Sequence, residues 1–417
     1  MTTRTTCRVC EGTLHFVLSL GDHYVSDFPA PDQGDGTKAP LTLVMCNSCK
    51  LVQLEHTVPA ETMYRNYWYR SGTNRTMCDA LVDIAHKAEQ LIHLRAGDAV
   101  LDIGCNDGTL LGSYRTAGIY RIGFDPARNL AVYSTKIADT VVPTFFGAES
   151  FQAEPSLAGK RPRIVTSIAM FYDLEEPNRF VADVKAAMDP DGIWIVQMSY
   201  LPLMLKQNAF DNICHEHLEY YSFSSMEVLL ARHDMRVVDV ELNDVNGGSI
   251  RMYVRTGQAT ESAFADETHR VLARERVAAL REDEHAMALD AKETYDDFAF
   301  RVGRIKQDVT GFVTEQTSAG KRVFVYGAST KGNTLLQYFG LDHTTIEAAV
   351  ERNPDKWGKV TVGTRIPIIS ESDARALRPD FFLVLPWHFI SEFQSRERDY
   401  LRSGGRFIVP MPSFTLI

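Results

Sequence analysis

Four cysteines near the start of the chain have the spacing of metal ligands. Cys7 and Cys10 form one C-x2-C pair, and Cys46 and Cys49 form a second. Each pair can aim two thiolates at one point, and two pairs complete the tetrahedral sulfur shell of structural zinc. The alternative is four free structural thiols. Because four cysteine ligands leave no open coordination position, we predict a zinc ion that stabilises the fold.

A second group of residues has the chemistry of a nucleotide site. The sequence VLDIGCNDGTLL begins with an apolar run that contains Asp102, and continues with Gly104 and Gly108. Glycines let a backbone touch a ligand, and nucleotides bind at the carboxyl edge of a parallel sheet. Asp125 closes the next apolar run, YRIGFD, and is placed to accept hydrogen bonds from ribose hydroxyls. For Asp102 alone, a structural cap is the alternative.

The segment FDNICHEHLEYYS contains candidate acid–base groups. It follows the last long strand candidate of the same region and brings His215, Glu216 and His217 to the same sheet edge. An imidazole oriented by a carboxylate is a general base suited to neutral pH. H-E-H lacks the i, i+4 spacing that puts two imidazoles on one helix face, so acid–base chemistry is favoured over metal binding. A structural histidine with satisfied hydrogen bonds is the third interpretation.

A further strand, turn and helix are predicted by KRVFVYGASTKGN. The N–H groups at the start of that helix, together with Lys331, can bind a diphosphate. Glu351 and Arg352 are placed to reach a base or a ribose, and Trp387 and His388 end a later strand that faces the same cleft. The turn lacks the G-x-G-x-x-G spacing, which disfavours NAD. A domain kept for packing or dimerisation is the remaining alternative.

Alternating strand and helix patterns must position these residues. After a predicted helix over 74–94, four strand candidates alternate with polar helical segments, which predicts a doubly wound parallel sheet: AVLDIG, YRIGFD, IVTSIA and GIWIVQMSY. Residues 246–257 are interpreted as a turn and an edge strand. The proline-free stretch 261–318 predicts one or two long helices. Four later strand candidates predict a second α/β unit: KRVFVYG, IEAAVERNP, FFLVLPWHF and GGRFIVPMP.

Length and composition define the class of protein. A chain of 417 residues, 45% hydrophobic and 24% charged, is typical of a globular protein with two or three domains. The net charge of −10 disfavours nucleic acid and anionic membranes as partners. No run approaches the length of a membrane span, and the first residues have no apolar signal segment, so we expect a cytoplasmic protein.

Taken in order, these motifs resemble those of a known enzyme family. The turn in VLDIGCNDG resembles motif I of class I S-adenosylmethionine (SAM)-dependent methyltransferases. The two C-x2-C pairs, this turn, the H-E-H segment, N-G-G-S and a C-terminal unit ending in GGRFIVPMP resemble the nucleotide-sugar C-methyltransferases over essentially the whole chain. The resemblance implies a zinc-binding domain over 1–66 and a SAM-binding doubly wound domain over 67–258. A helical connection and a Rossmann-like domain for the nucleotide sugar would follow over 259–417.

The resemblance also implies cofactors, substrate and residue roles. The cofactors are SAM and a structural zinc ion, and the substrate is a keto-deoxy sugar, typically linked to dTDP, from antibiotic or cell-envelope pathways. The residues expected to contact SAM are Tyr69, Ser71, Asp102, Gly104, Asn106, Asp107, Gly108, Asp125, Pro126, Ala148, Glu149 and Ser150. The residues expected to contact the nucleotide sugar are Ser329, Lys331, Asn333, Glu351, Arg352, Trp387 and His388. Glu216 and His217 match the catalytic Glu-His pair.

Methylation of carbon requires a nucleophilic carbon, which forms when a proton α to a carbonyl is removed. We expect His217 to be the base, with Glu216 orienting it or sharing the proton transfer. His215 and Tyr69 are expected to donate to the developing enolate oxygen. This mechanism requires the loops at Gly104 and Gly327 to face one cavity that contains His217.

Two residues depart from the family pattern. Cys214 stands where the family commonly has Tyr, and Asp173 stands where some members have His. Both positions bear on the identity of the sugar and on the outcome at the acceptor. Two other functions fit the same motifs: methyl transfer to oxygen, nitrogen or a non-sugar acceptor, and a zinc-containing scaffold of a biosynthetic complex.

Overall fold

The computed structural model describes residues 1–64 and 68–417. The chain has the predicted α/β architecture: an N-terminal region that contains the four cysteines is followed by two doubly wound sheets, and two long helices connect these sheets. The predicted division into three domains remains a proposal. Its expected boundary between residues 66 and 67 lies outside the described residues.

The N-terminal region is built from short antiparallel strands. Its elements are β1 Thr2–Thr3, β2 Leu14–Tyr24, β3 Lys38–Cys46, β4 Val52–Leu54, β5 His56–Thr57 and α1 Ala60–Tyr64. The strands β2, β3 and β4 form consecutive antiparallel pairs, and β1 pairs with β5. The residues between the two C-x2-C pairs therefore form a long hairpin.

The central region forms a sheet of seven described strands. Its elements are α2 Arg75–Ile92, β6 Ala99–Ile103, β7 Tyr120–Phe124, α3 Ala131–Ser134, β8 Thr140–Val142, α4 Ala148–Ala153, β9 Ile164–Ile168, α5 Pro177–Ala187, β10 Ile193–Ser199, α6 Leu201–Lys206, β11 Glu219–Tyr220, α7 Phe223–Ala231, β12 Met235–Asn243 and β13 Ser249–Thr256. The strand order is β12-β13-β10-β9-β6-β7-β8. Because β7 and β8 follow on one side of β6, and β9 and β10 lie on the other, the strand order reverses at β6. Ligands bind at such a switch point.

The predicted helix over 74–94 is confirmed as α2, and its boundaries have local causes. The side chain of Asn74 accepts a hydrogen bond from the N–H of Met77, which caps the first turn. The helix ends at Ile92, before His93 in the left-handed conformation. Its apolar stripe includes Leu81 and Ile84, both buried against the sheet.

The prediction that residues 246–257 form an edge strand was wrong. They form β13, which lies between β10 and β12 and pairs antiparallel with both. The outer position belongs to β12, which precedes β13 in a hairpin. All residues of β13 are buried, because a strand covered on both faces and paired on both sides has no exposed surface.

The C-terminal region begins with the two predicted long helices and continues with a six-stranded sheet. Its elements are α8 Glu267–Ala286, α9 Lys292–Ser318, β14 Val323–Tyr326, α10 Thr330–Phe339, β15 Ala349–Glu351, β16 Ile368–Ser370, α11 Glu371–Leu377, β17 Phe381–Val384, α12 Ile390–Arg396, α13 Arg398–Arg402, β18 Arg406–Val409 and β19 Thr415–Leu416. The strand order is β16-β15-β14-β17-β18-β19. The order reverses at β14, so the loop after β14 lies at a second switch point.

The N-terminal region touches both of the other regions. β11, in the middle of the chain, pairs with β4 and extends the N-terminal sheet. At the hairpin tip, the side chain of Asp35 accepts a hydrogen bond from the N–H of Gly363 at 2.9 Å, and the N–H of Val360 donates to the carbonyl of Pro29. The N-terminal region therefore holds the H-E-H segment and the C-terminal region in fixed positions.

Candidate active site and metal centre

The four N-terminal cysteines converge on one point. Their sulfur atoms all lie within 4.8 Å of one another, and the Sγ atoms of Cys10 and Cys46 are 3.4 Å apart. The N–H groups of Val9 and Ser48 donate to the sulfurs of Cys7 and Cys46, which favours thiolates. This arrangement fits a tetrahedral ion with ligands at about 2.3 Å, and it leaves no position for a substrate.

The glycine turn after β6 has the form expected of a ligand loop. Gly104 has φ +77°, and a Cβ atom there would lie 3.1 Å from the side chain of Met170. Only glycine adopts this conformation without strain while leaving the backbone open to a ligand. The loop also fixes the segment before α2, because the side chain of Asn106 accepts from the N–H of Ser71 at 3.0 Å. Asp107 accepts from the N–H of Gly72 at 2.8 Å.

Asp102, which is buried, and Asp125, which is half-buried, lie at the ends of neighbouring strands. Asp102 accepts a hydrogen bond from the hydroxyl of Thr166 at 2.6 Å, and burial raises the pKa of its carboxyl to about 7. Asp125 accepts from the N–H groups of Asn106 at 2.7 Å and Ala127 at 2.8 Å, and burial raises the pKa of Asp125 as well. A bound ligand with hydroxyl or ammonium donors would stabilise the ionised forms.

One large cavity joins the two switch points. It has a volume of about 1590 Å³, and it is lined at one end by Gly104 and Asp125 and at the other by Gly327 and Glu351. His217 lines the same cavity. The sequence-based expectation that the two loops face one cavity containing His217 is therefore met by the geometry.

His217 is held by two contacts. Its Nδ1 lies 2.9 Å from the main-chain carbonyl of Asn212, and the ring of Tyr172 packs edge-on with its centroid 4.3 Å away. A carbonyl can only accept, so Nδ1 carries the hydrogen and Nε2 keeps its lone pair. Burial, and after it the positive charge of Lys331, lowers the pKa of His217 to about 3. The imidazole is therefore neutral at physiological pH.

Three acidic side chains with unpartnered oxygens line the same cavity as His217. Among the described residues, Oε2 of Glu216, Oδ1 of Asp173 and Oδ1 of Asp211 are buried without a hydrogen-bond partner, and all three residues line the cavity. Burial raises the pKa of Glu216 to about 7 and that of Asp173 well above its ordinary value. A buried polar atom without a partner is costly unless a ligand satisfies it. The cluster is therefore suited to a polar ligand rich in hydroxyl or carbonyl groups.

The loop after β14 forms the opposite end of the cavity. Gly327 has φ +91°, and a Cβ atom there would lie 2.5 Å from the ring of Pro386. Ser329 caps α10 by accepting from the N–H of Gly332, so the earlier N–H groups of the helix remain available to an anion. Lys331 does not extend along this loop, because its Nζ donates to Oδ1 of Asn212 in the central region.

Most of the residues predicted for the site do line this cavity. They are Tyr69, Ser71, Asp102, Gly104, Asn106, Asp125, Pro126, Glu149, Ser150, Glu216, His217, Ser329, Lys331, Glu351, Arg352 and His388. The structure thus brings together residues that are more than 300 positions apart in the chain. Their individual roles remain proposals.

Six predicted residues do not line the cavity. Three of them have a clear positioning role. Nε2 of His215 donates to the carbonyl of Ala39, 3.0 Å away. Asn333 donates to Ser26 and Asp27 of the N-terminal hairpin, and Trp387 donates to Oδ2 of Asp211. Asp107 holds the segment before α2, as described above. Gly108 and Ala148 complete the six. The position of a residue at the end of a strand predicts that it lies near that edge of the sheet. It does not predict which face the side chain occupies, because successive side chains point to opposite faces.

Several residues that matter to the geometry could not be found from spacing alone. Asn212 acts through its main-chain carbonyl and its side-chain amide at once. Tyr64, which lines the cavity, donates to the main-chain carbonyl of Glu216 at 3.2 Å. The ring of Tyr172 and the guanidinium of Arg70, which lies over Tyr133, also line the cavity. In the sequence, the only indication of a role for Asn212 is its place in the segment FDNICHEH.

Family models match three consecutive parts of the chain, and a curated relative matches nearly all of it. Residues 7–64 match a family described as a zinc binding domain, residues 69–240 match a methyltransferase domain, and residues 244–412 match the C-methyltransferase C-terminal domain. The chain is also 34% identical over 410 residues to the C-methyltransferase NovU of Streptomyces niveus, a match that covers 97% of this chain and 95% of that protein.

Two solved methyltransferase structures align with part of this chain. The mitomycin 7-O-methyltransferase MmcR aligns with a TM-score of 0.35 and 15% identity, over 44% of this chain and 55% of that one. The magnesium protoporphyrin IX methyltransferase ChlM of Synechocystis PCC 6803, solved with bound SAM, aligns with a TM-score of 0.31 and 13% identity, over 43% and 79%. Among the helices described, none combines the length and apolarity needed to cross a bilayer.

Proposed function

Since the chain belongs to the C-methyltransferase family and is a SAM-dependent enzyme with an N-terminal zinc domain, we propose that its acceptor is a keto-deoxy sugar linked to a nucleotide, with dTDP as the nucleotide. The methyl group is added to the carbon α to the keto group. One observation carries this proposal: a single cavity runs from the glycine loop of the central sheet, past a neutral histidine and buried acids, to the glycine loop of the C-terminal sheet.

The end of the cavity at β6 and β7 fits SAM. The backbone at Gly104 is open to a ligand, and the carboxylate of Asp125 follows β7, where an acidic residue binds ribose hydroxyls in related sheets. Tyr69, Ser71, Glu149 and Ser150 line the same end. When bound, SAM supplies an electrophilic methyl group on a sulfonium, whose bonding electron pair stays on sulfur after transfer.

The end of the cavity at β14 supports the choice of a nucleotide sugar. The free N–H groups at the start of α10 suit a diphosphate. Glu351 is the last residue of β15 and Arg352 follows it at the same edge, and both line the cavity. A nucleoside diphosphate held there would extend its sugar toward His217, because the cavity is continuous between the two places.

The His217–Glu216 pair is proposed to remove the proton. His217 presents the lone pair of Nε2 in a fixed ring, since Nδ1 is bound to the carbonyl of Asn212. Glu216, whose pKa is about 7, changes its protonation state near neutral pH and so matches the task of accepting a proton there. The C–H bond breaks, the proton stays with the pair, and the remaining electrons form the enolate that attacks the methyl carbon.

Calorimetry with single ligands tests the two-site proposal. SAM and dTDP, titrated separately into the zinc-loaded protein, should each bind about one equivalent, and saturation with one should not prevent binding of the other. In D2O, without SAM, the enzyme should wash deuterium into a dTDP-linked keto-6-deoxy sugar. Failure of dTDP to bind would contradict the nucleotide-sugar proposal, and binding without exchange would contradict the proton-abstraction step.

A further inference from the structure

Lys331 occupies a place that its position in the chain does not predict. It is the second residue of α10, next to the loop expected to hold a diphosphate, yet its ammonium donates to the side-chain oxygen of Asn212. Helix α10 packs against the segment that carries Asn212, with the rings of Phe210 and Tyr338 5.4 Å apart. The side chain of Lys331 therefore reaches from the C-terminal region to Asn212, whose main-chain carbonyl binds His217.

Among the described residues, no carboxylate lies within ion-pair distance of the Lys331 ammonium, which donates to Asn212. Each of the other lysines and arginines that line the cavity pairs with a carboxylate: Arg70 with Asp107, Arg179 with Glu149, Arg352 with Glu392, Lys356 with Glu351 and Arg396 with Glu371. Within the described parts of the chain, Lys331 forms no such pair. Its ammonium donates a hydrogen bond to the neutral side-chain amide of Asn212. A lysine has three donors, so two remain for a ligand.

The position of the ammonium relative to His217 is defined by Asn212. Asn212 is 3% exposed. It binds Lys331 through its side chain and His217 through its main-chain carbonyl. The charge of Lys331 also lowers the pKa of both His217 and His388, after burial as the larger cause. An ammonium ion and a neutral base thus face the same part of the cavity.

We propose that Lys331 is a catalytic residue, which donates a hydrogen bond to the carbonyl oxygen of the substrate and stabilises the negative charge that develops there. This inference rests on the proposed function. When the α C–H bond breaks, the proton goes to the His217–Glu216 pair and the electron pair moves into the carbon–carbon bond, which leaves the charge on oxygen. Lys331 keeps its protons throughout, and the carbonyl is restored when the new carbon–carbon bond forms.

The rival role for Lys331 is binding of the diphosphate, and substitution distinguishes the two. Lys331→Met keeps the length of the stem and removes the charge. We expect its dissociation constant for dTDP to stay within about threefold of the wild-type value, whereas deuterium exchange at saturating sugar falls by about 10²–10³-fold. The matched control is Lys321→Met, because Lys321 lies in the same region but pairs with Asp380 outside the cavity. Circular dichroism and thermal unfolding verify that each variant is folded. If Lys331→Met does not fold, Lys331→Gln is tested in its place.

The outcomes separate this inference from the proposed function. The wild-type enzyme is first assayed on several dTDP-linked keto-6-deoxy sugars, and the sugar it exchanges fastest is used for the variants. If Lys331→Met binds dTDP at least tenfold more weakly but exchanges normally at saturation, Lys331 is a phosphate ligand and the inference is overturned. If the wild type exchanges none of the sugars, the proposed function fails, and the role of Lys331 fails with it.

Discussion

The Nδ1 atom of His217 donates to the main-chain carbonyl of Asn212 across 2.9 Å. This bond fixes the tautomer, since a carbonyl has no hydrogen to give, and it leaves Nε2 as the free lone pair. A main-chain partner also keeps its orientation whatever side chain stands at position 212. The base is therefore defined by the path of the backbone between α6 and β11.

Replacement of His217 tests the base directly. His217→Asn should lower methyl transfer at least ~10²-fold, because asparagine cannot accept the proton, while SAM affinity stays near the wild-type value. Single-turnover mass spectrometry and calorimetry with SAM measure the two effects. His343→Asn, at an exposed histidine, is the control and should be unchanged. Near-normal transfer by His217→Asn would exclude His217 as the base.

The pH dependence of proton exchange reports the ionisation of Glu216. Burial raises its pKa to about 7, and only the ionised carboxylate can share the proton transfer with His217, so the exchange rate should rise between pH 6 and pH 8 and then level off. An unperturbed glutamate would already be ionised at pH 6. Glu216→Gln should abolish this rise.

A second acid provides the control for that profile. Burial also raises the pKa of Asp102 to about 7, at the other end of the cavity. Asp102→Asn should therefore retain the rise between pH 6 and pH 8. If Asp102→Asn loses the rise in exchange rate between pH 6 and pH 8 and Glu216→Gln keeps it, the titrating group is Asp102. That result would contradict our interpretation.

Asp125 should contribute to SAM affinity alone. Asp125→Asn keeps the shape of the side chain but weakens hydrogen bonds from ribose hydroxyls to a charged acceptor, which are typically worth about 1.5–3 kcal/mol. SAM binding measured by calorimetry should weaken about 10- to 100-fold, with dTDP binding unchanged. Unaltered SAM binding would exclude Asp125 from the ribose site.

The zinc site should support the catalytic segment indirectly. Purified protein should contain about one zinc ion per chain, and Cys46→Ser should lose it, since the sulfur of Cys46 is 3.4 Å from that of Cys10. Because β4 pairs with β11, just after His217, we expect Cys46→Ser to unfold the N-terminal region and to lose methyl transfer as a consequence.

Elemental analysis and thermal unfolding measure this effect. Cys78→Ser is the matched control, because Cys78 is half-buried on α2 and lies outside the cysteine cluster. It should keep both the zinc ion and the melting temperature. A Cys46→Ser protein that retains a full equivalent of zinc would show that the ion is held elsewhere.

The parts of the fold that were predictable are those that local patterns specify. The period of apolar residues identified α2, and the four apolar runs from residue 99 onward became strands of the central sheet. The edge position of 246–257 was predicted wrongly because pairing between β12 and β13 depends on tertiary contacts. A strand pattern shows which faces are buried, but it does not reveal how many strands lie beside it.

The site was predictable to a similar degree, for a related reason. Residue type and position at a strand end placed Asp125, His217 and Ser329 on one cavity. His215 does not line the cavity, since its side chain turns to the carbonyl of Ala39 in the N-terminal hairpin. The reach of Lys331 to Asn212 depends on how α10 packs on the central region, and no spacing in the sequence encodes that contact.

Transfer of a labelled methyl group tests the proposed chemistry most directly. The enzyme is incubated with trideuteromethyl SAM and a set of dTDP-linked keto-6-deoxy sugars, and the products are fragmented by mass spectrometry. We predict that one sugar gains the intact label on the carbon next to its keto group, at a position that has also lost its proton. Label on an oxygen or a nitrogen, or on none of the nucleotide sugars, would contradict carbon methylation in the shared cavity.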